Sequence, residues 1–571
     1  MEPRNLIAGL LACMAVVITL LVAPHLPYGN WRVIQSAELV ITNAVIYTSD
    51  PSLPWAECMA VRSGRILEVG NLRSVEGLIG RQTRIVDLKG KVVVPGFIDS
   101  HVHFISGGLQ MARVDLHAVK SKSEFISKVE HAVHDMENKQ WVLGGGWNND
   151  YWGGELPEAS WIDNITHDCP VWLTRMDGHM GLANSFTLNK VGIHNLTDDP
   201  VGGTIIKNIN GAPTGLLVDA AMQLLLPHIP KVTIQERRDA LIRASKLGLS
   251  RGVTAVVDFG RYFPGTSTSD VWQDFFEVYK WADETSHMLL RVCLFFPLET
   301  WSLVVNTFKG TSRTLSQWLH IGGVKAFTDG SLGSNSALFY EAYADDESNH
   351  GLHVVNPDWL LTTVLEADKF GIQVAIHAIG DKANDIALSI NEALISKNGM
   401  KDRRFRIEHA QHLSPGAADR FGANHVIGSV QPEHLLDDAA SAIKKLGEGR
   451  AVQESYLFNS LLSSNARLAF GSDWPVVELN PLGGIKAAIE RTPHDWQSPW
   501  NPSESITVDA ALDGYTISAA FAAFMEYEIG SLSIGKWADF VILSKNPWNA
   551  TAPEDFPSVQ ATYIGGIQVY P

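Results

Sequence analysis

The sequence predicts an α/β protein whose main domain is a TIM-like (β/α)8 barrel, and three observations support this fold class. Five apolar segments of strand length each lead into a residue that can titrate or bind a metal. Eight candidate strands occur along the chain, and most intervals between them leave room for a helix. The reactive side chains fall at the C-terminal ends of these strands, where a barrel of this kind builds its active site.

The candidate strands are short apolar runs of the type that a parallel sheet buries on both faces. They begin near Val92, Val253, Leu289, Ile321, Ile372, Phe405, Val426 and Arg467. The helix before the second strand is marked by a capping box at Thr233 and Glu236 and by Gly252 at its end. Residues 105–235, between the first and second strands, are too long for a single crossover and predict an inserted subdomain.

The first strand leads into His101 and His103, two histidines separated by one residue. Residues i and i+2 of a strand point to the same face, so both imidazoles can reach one metal ion just beyond the strand. About one such triplet is expected by chance among the 20 histidines of a 571-residue chain, so the triplet alone is a weak motif. Its position after a buried strand favours half of a metal site.

Four later segments of the same kind end in further candidate ligands, which are Lys325, His377, His409 and Asp473. A core histidine bonded to a backbone carbonyl explains any one of these histidines on its own. The whole series is better explained by groups that gather at one end of a barrel.

Six short motifs follow one another along the chain. They are Pro95-Gly96-Phe97-Ile98-Asp99-Ser100-His101-Val102-His103, Asp177-Gly178-His179, Gly211-Ala212-Pro213-Thr214-Gly215, Asp329-Gly330-Ser331-Leu332-Gly333-Ser334, Glu408-His409-Ala410-Gln411 and Gly471-Ser472-Asp473-Trp474-Pro475. Taken in this order they resemble the metal-dependent amidohydrolase superfamily, in its amidohydrolase-3 and N-substituted formamide deformylase-like branch. The resemblance covers roughly residues 37–571.

The resemblance implies a site for one or two divalent metal ions. By residue-for-residue transfer, one ion is bound by His101 and His103 and the second by His377 and His409, Lys325 bridges them as a carbamate, and Asp473 is both a ligand and the base. A neutral lysine amine is needed to capture carbon dioxide, which burial near cations favours. Zinc is the expected metal, although manganese or iron fits the same donors.

The implied reaction is hydrolysis of a non-peptide, amide-like carbon–nitrogen bond in a small molecule by metal-activated hydroxide. Asp473 moves the proton to the leaving nitrogen, and His179 contacts the substrate, unless it is only a solvated loop imidazole. Trp147 and Trp474 are candidate pocket walls, with core packing as the alternative, and we expect His434 to line the pocket without binding metal. Many relatives carry an arginine where this chain has Asn335. An amide cannot bind a carboxylate at two points as a guanidinium does, so any contact that this arginine makes with a substrate carboxylate in relatives is not expected here.

Both ends of the chain show short strand patterns separated by turn residues. In the family that the chain resembles, the two ends join in one small β-sandwich beside the barrel; two unrelated hairpins are the alternative, but isolated hairpins are barely stable. The expected domains are an N-terminal segment over 1–34, sandwich residues 35–95, the barrel over 96–528 with its insertion at about 105–235, and sandwich residues 529–571.

Residues 6–23 are apolar and uncharged, long enough to span a bilayer and longer than a signal-peptide core. We expect an uncleaved, single-pass signal anchor on the endomembrane or secretory route, with a removed signal peptide as the alternative. Arg4 and the charged amino terminus precede the stretch and Arg32 follows it, a slight positive-inside bias that favours a luminal catalytic part. A chain without this segment would be cytoplasmic.

Composition limits the remaining function classes. A net charge of −17 argues against a general nucleic-acid-binding surface, and four cysteines give no disulfide framework. Three sequons, at Asn164, Asn195 and Asn549, would make a luminal chain a glycoprotein.

Two other functions stay open beside hydrolysis. Plant members of the same branch include a protein linked to phytochrome signalling, so the chain is alternatively a membrane-associated regulator of plant far-red (phytochrome A) signalling, with the barrel as a scaffold or with a signalling-relevant product. Metal-assisted decarboxylase or hydratase chemistry is a further alternative on this barrel. Homodimerisation also stays open.

Overall fold

A computed structural model describes residues 36–134, 141–200, 202–263, 266–311, 313–550 and 553–571. The expected membrane anchor at 6–23 lies outside these ranges. Within them, no helix combines the length and the apolar character needed to cross a membrane.

The described residues form both strands and helices. The strands are β1 (Leu39–Thr42), β2 (Val45–Tyr47), β3 (Trp55–Ala56), β4 (Cys58–Arg62), β5 (Arg65–Gly70), β6 (Arg84–Asp87), β7 (Val92–Pro95), β8 (Phe97–Val102), β9 (Val114–Asp115), β10 (Val142–Trp147), β11 (Val171–Arg175), β12 (Met180–Ala183), β13 (Gly203–Lys207), β14 (Pro213–Asp219), β15 (Val253–Asp258), β16 (Arg291–Pro297), β17 (Leu319–Phe327), β18 (Gln373–Ala378), β19 (Arg406–His409), β20 (Ile427–Val430), β21 (Arg467–Phe470), β22 (Phe540–Leu543), β23 (Val559–Ile564) and β24 (Ile567–Tyr570).

The helices are α1 (Leu72–Val75), α2 (Phe104–Gln110), α3 (Lys122–His134), α4 (Asp163–Thr166), α5 (Ser185–Val191), α6 (Ile234–Ser250), α7 (Thr268–Asp274), α8 (Lys280–Glu284), α9 (Trp301–Thr311), α10 (Pro357–Lys369), α11 (Asp381–Asn398), α12 (Ala417–Ala423), α13 (His434–Leu446), α14 (Glu448–Glu454), α15 (Phe458–Ser463), α16 (Pro481–Glu490), α17 (Val508–Gly514) and α18 (Ile517–Ala522). A π-helical turn, Phe275–Tyr279, connects α7 and α8.

The predicted barrel is confirmed as a nearly closed sheet of eight parallel strands in the order β21-β20-β19-β18-β17-β16-β15-β8. The two outer strands meet just beyond their C-terminal ends, where the Asp473 N–H donates to the His101 carbonyl at 2.7 Å. All eight strand ends therefore surround one point.

The expected start of the first barrel strand at Val92 is wrong. The apolar run divides at Gly96 into two strands in different sheets, because β7 pairs with β2 and β22 whereas β8 pairs with β15. A Cβ atom at Gly96 would lie 2.2 Å from Thr254 Oγ1, so the chain passes too close to β15 for any side chain there. An uninterrupted apolar pattern gives no sign of such a change of partner.

Residues between β8 and β15 include an independent sheet of six strands in the order β13-β14-β12-β11-β10-β9. Its own apolar core contains Leu116, Trp147, Trp161 and Leu173. The chain then enters α6 through the capping box, with the Thr233 side chain bonded to the Glu236 N–H and the Glu236 side chain bonded to the Thr233 N–H.

Strands from both ends of the chain share one sheet of six strands, β24-β23-β22-β7-β2-β3, beside a four-stranded sheet, β5-β4-β1-β6. Apolar residues of both sheets, among them Ile41, Ile46 and Phe540, form one core. A buried ion pair joins this part to the barrel, because Arg291 donates from Nε and Nη2 to Asp539 at 2.7 and 3.0 Å.

Candidate active site

The strand ends bring together six predicted site residues. His101 lies in β8 and His103 directly after it, while Lys325, His377 and His409 lie in β17, β18 and β19. Asp473 follows β21 by three residues. Because parallel strands point their C-terminal ends in one direction, residues far apart in sequence converge here.

The side-chain atoms of these residues are close to one another. Asp473 Oδ1 lies 3.4 Å from His101 Nε2 and 3.4 Å from His103 Nε2, and Lys325 Nζ lies 3.4 Å from His101 Nε2. The rings of His377 and His409 have centroids 4.5 Å apart. One ligand atom from each of His101, His409 and Asp473 falls within 4.8 Å of the others, which defines a candidate metal site.

The donor set fits a divalent cation. Burial lowers the pKa of His103 to about 3 and holds the pKa values of His101, His377 and His409 well below their usual range, so the four imidazoles are neutral at neutral pH. Asp473 Oδ1 is buried without a hydrogen-bond partner among the described residues. A buried oxygen of this kind is costly unless a ligand satisfies it, and neutral imidazole is a common metal ligand.

Hydrogen bonds behind the rings fix which nitrogen faces the centre. His101 Nδ1 donates to Glu408 Oε2 at 2.7 Å, His103 Nδ1 to the Gly260 carbonyl at 2.6 Å, and His409 Nδ1 to Gln431 Oε1 at 2.7 Å. In a neutral ring this leaves the Nε2 lone pair free to bind a metal. His377 uses the opposite nitrogen, because its Nε2 donates to the Gly330 carbonyl at 3.0 Å.

Glu408 is a positioning residue that the sequence reasoning passed over. Its second oxygen accepts from Arg406 Nε at 2.8 Å, and both side chains have no exposed surface. Its place directly before His409 was visible in the sequence, but a carboxylate beside a candidate ligand does not by itself indicate which histidine it will contact.

Lys325 is buried among these groups. Burial lowers its pKa, although Glu408 and Asp473 act against that shift. Its Nζ also lies 4.3 Å from the centre of the Phe259 ring. The lowered pKa increases the share of neutral amine, the form that reacts with carbon dioxide.

Two of the six residues have strained backbones. His409 has φ of 75° and Asp473 has φ of 57°, both in the left-handed region that side chains disfavour. Such residues each cost about 1–3 kcal/mol and persist where the surrounding structure holds them in place. This strain directs both side chains to the centre and could not be predicted from the strand pattern.

The six residues lie at the base of a cavity with about 100 Å³ of free space. Apolar residues of its wall include Phe263, Phe327, Leu332 and Ile379, and polar residues include Asn148, Asp150, Arg175, Asp177, His179, Gln411, His434, Asp437, Asp438 and Ser441. His434 therefore lines the cavity as predicted, with its Nε2 3.1 Å from the Ser472 carbonyl.

The two tryptophans proposed as cavity walls have other positions. Trp147 is fully buried in the core of the inserted sheet, where its Nε1 donates to the Leu173 carbonyl at 2.9 Å. Trp474 is buried against Phe104, with ring centroids 6.0 Å apart. Both tryptophans are therefore core residues, which was the alternative to a place in the cavity wall. An aromatic side chain near apolar strands usually packs against them.

His179 reaches the cavity from the inserted sheet. Its Nδ1 lies 2.8 Å from Asp219 Oδ1. Burial acts to lower its pKa, but the hydrogen bond to Asp219 and the charges of Asp177 and Asp219 raise it overall. The imidazole is therefore suited to donate a hydrogen bond to a substrate oxygen.

Arg175 stands on the same side of the cavity, and the sequence reasoning did not identify it. It donates from Nη1 to Asp177 at 2.8 Å, from Nη2 to Asn148 and Asp150 at 3.0 and 3.3 Å, and from Nε to Asn149 at 3.1 Å. Asp177 also accepts from Ser331, so this network connects the inserted sheet to the loop after β17.

Asn335, which stands where the resemblance implies an arginine in many relatives, is itself bound by Lys445. The lysine Nζ donates to Asn335 Oδ1 and, at 3.2 Å, to the Gly333 carbonyl. The side chain of Asn335 is therefore engaged within the loop and supplies no guanidinium to the cavity.

Comparison with known proteins agrees with this architecture. The model of the amidohydrolase family matches residues 84–570. Protein LONG AFTER FAR-RED 3 of Arabidopsis thaliana is 56% identical over 568 residues, covering 98% of this chain and 97% of the relative. N-substituted formamide deformylase of Arthrobacter pascens is 27% identical, covering 94% of this chain and 99% of the relative.

A solved structure is similar over most of the fold. An uncharacterized metal-dependent hydrolase from Pyrococcus horikoshii superposes with a TM-score of 0.71 at 27% identity, covering 90% of this chain and 98% of that chain.

Proposed function

Because this chain belongs to the amidohydrolase family, we propose that it hydrolyses a non-peptide, amide-like carbon–nitrogen bond of a small molecule. The observation that supports this most directly is the buried group of His101, His409 and Asp473, with ligand atoms within 4.8 Å of one another at the base of a cavity. The similarity to a formamide deformylase supports the choice of bond.

In this proposal His101, His103, His377, His409 and Asp473 hold one or two divalent ions, with zinc as the expected metal. A bound ion of this kind lowers the pKa of water and polarises a carbonyl group. Lys325, as a carbamate formed when its neutral amine adds to carbon dioxide and loses a proton, would supply two further oxygen ligands.

The remaining steps belong to the side chains. Burial raises the pKa of Asp473, although Lys325 acts against that shift, so this carboxylate can accept the proton of the attacking water and return it to the leaving nitrogen. His179, held by Asp219, presents its other nitrogen to the substrate carbonyl oxygen and would stabilise the charge that develops there.

The test measures metal per chain by elemental analysis and formate release from N-substituted formamides. We expect up to two metal ions in the wild type, with losses in His101→Ala/His103→Ala and in Lys325→Ala. The exposed residues His194 and Lys397 supply matched controls, His194→Ala and Lys397→Ala, which should retain wild-type metal and activity. A fully metal-loaded protein that releases no product from any amide would contradict the proposal, and a metal content unchanged in Lys325→Ala would contradict the bridging role.

A second candidate function is regulation of the plant response to far-red light, supported by the 56% identity to LONG AFTER FAR-RED 3. In this proposal the barrel is a scaffold or its product is a signal. Expression of wild type and of His101→Ala/His103→Ala in Arabidopsis plants that lack that relative separates the two forms. Rescue of the far-red response by both proteins would indicate a scaffold, and rescue by the wild type alone would indicate the reaction product.

The location of the chain is likewise a proposal. Residues 6–23 would anchor it in an endomembrane with the catalytic part in the lumen. Sensitivity of the electrophoretic mobility to glycosidase, lost when Asn164, Asn195 and Asn549 are replaced by Gln, would support a luminal location, and an unglycosylated chain in the soluble fraction would contradict it.

A further inference from the structure

Helix α13 presents a polar face to the cavity. His434, Asp437, Asp438 and Ser441 all line it, and their spacing of i, i+3, i+4 and i+7 places them on one side of the helix. The helix packs its other side into the core through Leu435, Ala439, Ala442 and Leu446. Two adjacent carboxylates therefore face the cavity instead of bulk solvent.

Each of these carboxylates is held by one oxygen. Tyr456 Oη and Gln411 Nε2 donate to Asp438 Oδ2 at 2.6 and 2.8 Å, and Tyr151 Oη donates to Asp437 Oδ1 at 2.6 Å. The other oxygens, Asp438 Oδ1 and Asp437 Oδ2, have no hydrogen-bond partner among the described residues. The carboxylates are thus fixed in place with one oxygen of each left to bind a ligand.

The carboxylates of α13 also lack cationic partners. Within the described part of the chain, no Lys or Arg side chain forms an ion pair with either of them, although the charge of Arg175 acts on Asp438 from a longer distance. His494 Nε2 lies 3.9 Å from Asp437 Oδ1, and the side chain of His494 is 66% exposed. Carboxylates that are partly removed from water and have no ion-pair partner are unfavourable, so a cation that enters the cavity would be bound there.

The cations nearby are already engaged. Arg175 is shared among Asp177, Asp150 and the neighbouring asparagines, and Lys445 is bound to the loop at Gly333 and Asn335. These bonds use four of the five N–H groups of Arg175 and two of the three of Lys445, so each cation keeps at most one donor for a substrate carboxylate. An anionic substrate would meet the unpaired charge of Asp437 and Asp438, whereas a cationic one would neutralise it.

We propose that the substrate carries a protonated amine, separated from its scissile amide by an apolar spacer, and that Asp438 and Asp437 bind this amine. The apolar residues Phe263, Phe327 and Leu332 line the same cavity and would contact the spacer. Gln411 connects the two ends of the site, because it follows His409 by two residues and contacts Asp438. The inference rests on the proposed amide hydrolysis and adds the substrate class.

Three probes of matched length test the inference: monoformyl cadaverine, N-hexylformamide and formylated ε-aminocaproate, whose far ends are cationic, neutral and anionic. We expect kcat/KM for formate release to be at least about tenfold higher for the cationic probe than for the neutral one, since desolvated charge pairs contribute strongly to binding. Asp438→Asn and Asp437→Asn should reduce this ratio through KM. Asp438→Glu should retain part of it.

The control variant is Asp419→Asn, which removes an equal charge from an exposed position on α12 and should leave the ratio at its wild-type value. Equal kcat/KM for all three probes, or a ratio that Asp438→Asn leaves intact, would overturn the inference. Metal content identical to wild type in each variant shows that the fold and the metal site are retained.

Binding is measured separately, by calorimetric titration of the three probes into the full chain carrying Asp473→Asn, in which the proposed proton transfer is blocked. Tighter binding of the cationic probe than of the other two, lost when Asp438→Asn is added, supports the inference. This holds even when the wild type hydrolyses none of the probes, because absent hydrolysis counts against the proposed function alone. Equal binding of the three probes, or no binding of any, overturns the inference whatever the hydrolysis result.

Discussion

At the scale of single residues, His101 illustrates how side chains behind a predicted metal ligand orient its ring. Its ring is oriented by Glu408, and the charge of Glu408 is balanced by Arg406, which also donates to the Ser100 carbonyl and to Ser429. The direction of one ring nitrogen of His101 is thus fixed by three buried side chains of the paired strands β19 and β20, which are Arg406, Glu408 and Ser429. Side chains behind a metal ligand commonly tune its basicity and its orientation.

Replacement of Glu408 by Gln should lower metal affinity by about 10- to 100-fold, because His101 would lose an anionic acceptor at Nδ1. Dialysis against graded chelator, followed by elemental analysis, measures the effect. Glu504→Gln, at another buried glutamate, which accepts from the Ser460 N–H, is the control and should keep wild-type affinity. Excess metal should restore occupancy, and metal retention equal to wild type at every chelator concentration would refute the role of Glu408.

Asp438 should make stability depend on pH. Burial raises its pKa from 3.8 to about 6, so between these values the folded chain keeps a proton that the unfolded chain has lost. The free energy of unfolding therefore falls as the pH rises through this window. Above the window, the folded chain bears the full cost of burying the ionised carboxylate.

We expect Asp438→Asn to be more stable than wild type at pH 7, by on the order of 2 kcal/mol, and to lose this advantage near pH 4. Urea unfolding at both pH values measures the difference. The control Asp419→Asn, at an exposed carboxylate, should show no such trend. A difference for Asp438→Asn that is the same at both pH values would contradict this assignment.

At the scale of single elements, α6 begins with a capping box that both the sequence and the structure contain. Thr233→Ala should lower the free energy of unfolding by about 1 kcal/mol, because the Glu236 N–H would lose its acceptor. Thr363→Ala is the matched control, since Thr363 is half-buried inside α10, away from the helix start, and its side chain donates to the Trp359 carbonyl of its own helix. The check is the urea midpoint of the two variants, and equal midpoints would contradict the capping role.

The strand ends were the part of the fold most accessible to sequence reasoning. Buried parallel strands are apolar and short, so reactive residues at or near their ends are conspicuous. This pattern is sufficient to predict all six site residues of the barrel from the sequence. The partition at Gly96 could not be read from the sequence, since β7 and β8 have the same apolar composition and differ only in the strands that they pair with.

Residues on helices and inserted strands were harder to identify. Asp437 and Asp438 follow His434 at helical spacing, a signal that was present, but a polar helix face usually meets solvent. Arg175 stands in β11 among apolar residues, and only the packing of the insertion against the barrel brings it to the cavity.

At the scale of the whole molecule, the ion pair of Arg291 and Asp539 connects the barrel to the sheet formed by both chain ends. Its side chains are 2% and 3% exposed. Asp539→Asn should destabilise the protein by about 3–5 kcal/mol, because a buried guanidinium would be left without its counter-charge. Thermal and urea unfolding measure the loss.

A surface pair provides the comparison for this prediction. Arg251 and Glu478 lie 3.2 Å apart with side chains 42% and 72% exposed, so Glu478→Gln should cost less than about 1 kcal/mol. Equal losses in Asp539→Asn and Glu478→Gln would show that the pair at Arg291 does not hold the two parts of the molecule together.

The position of β7 between β2 and β22 has a consequence for synthesis on the ribosome. β7 leads through Gly96 directly into β8, the strand that carries His101, yet its partner β22 is among the last segments to be translated. During translation the nascent chain therefore holds an incomplete sheet next to the strand on which the metal ligands depend. A stop codon just after Asp539 would leave every predicted ligand in the polypeptide but remove the strand that anchors the first of them.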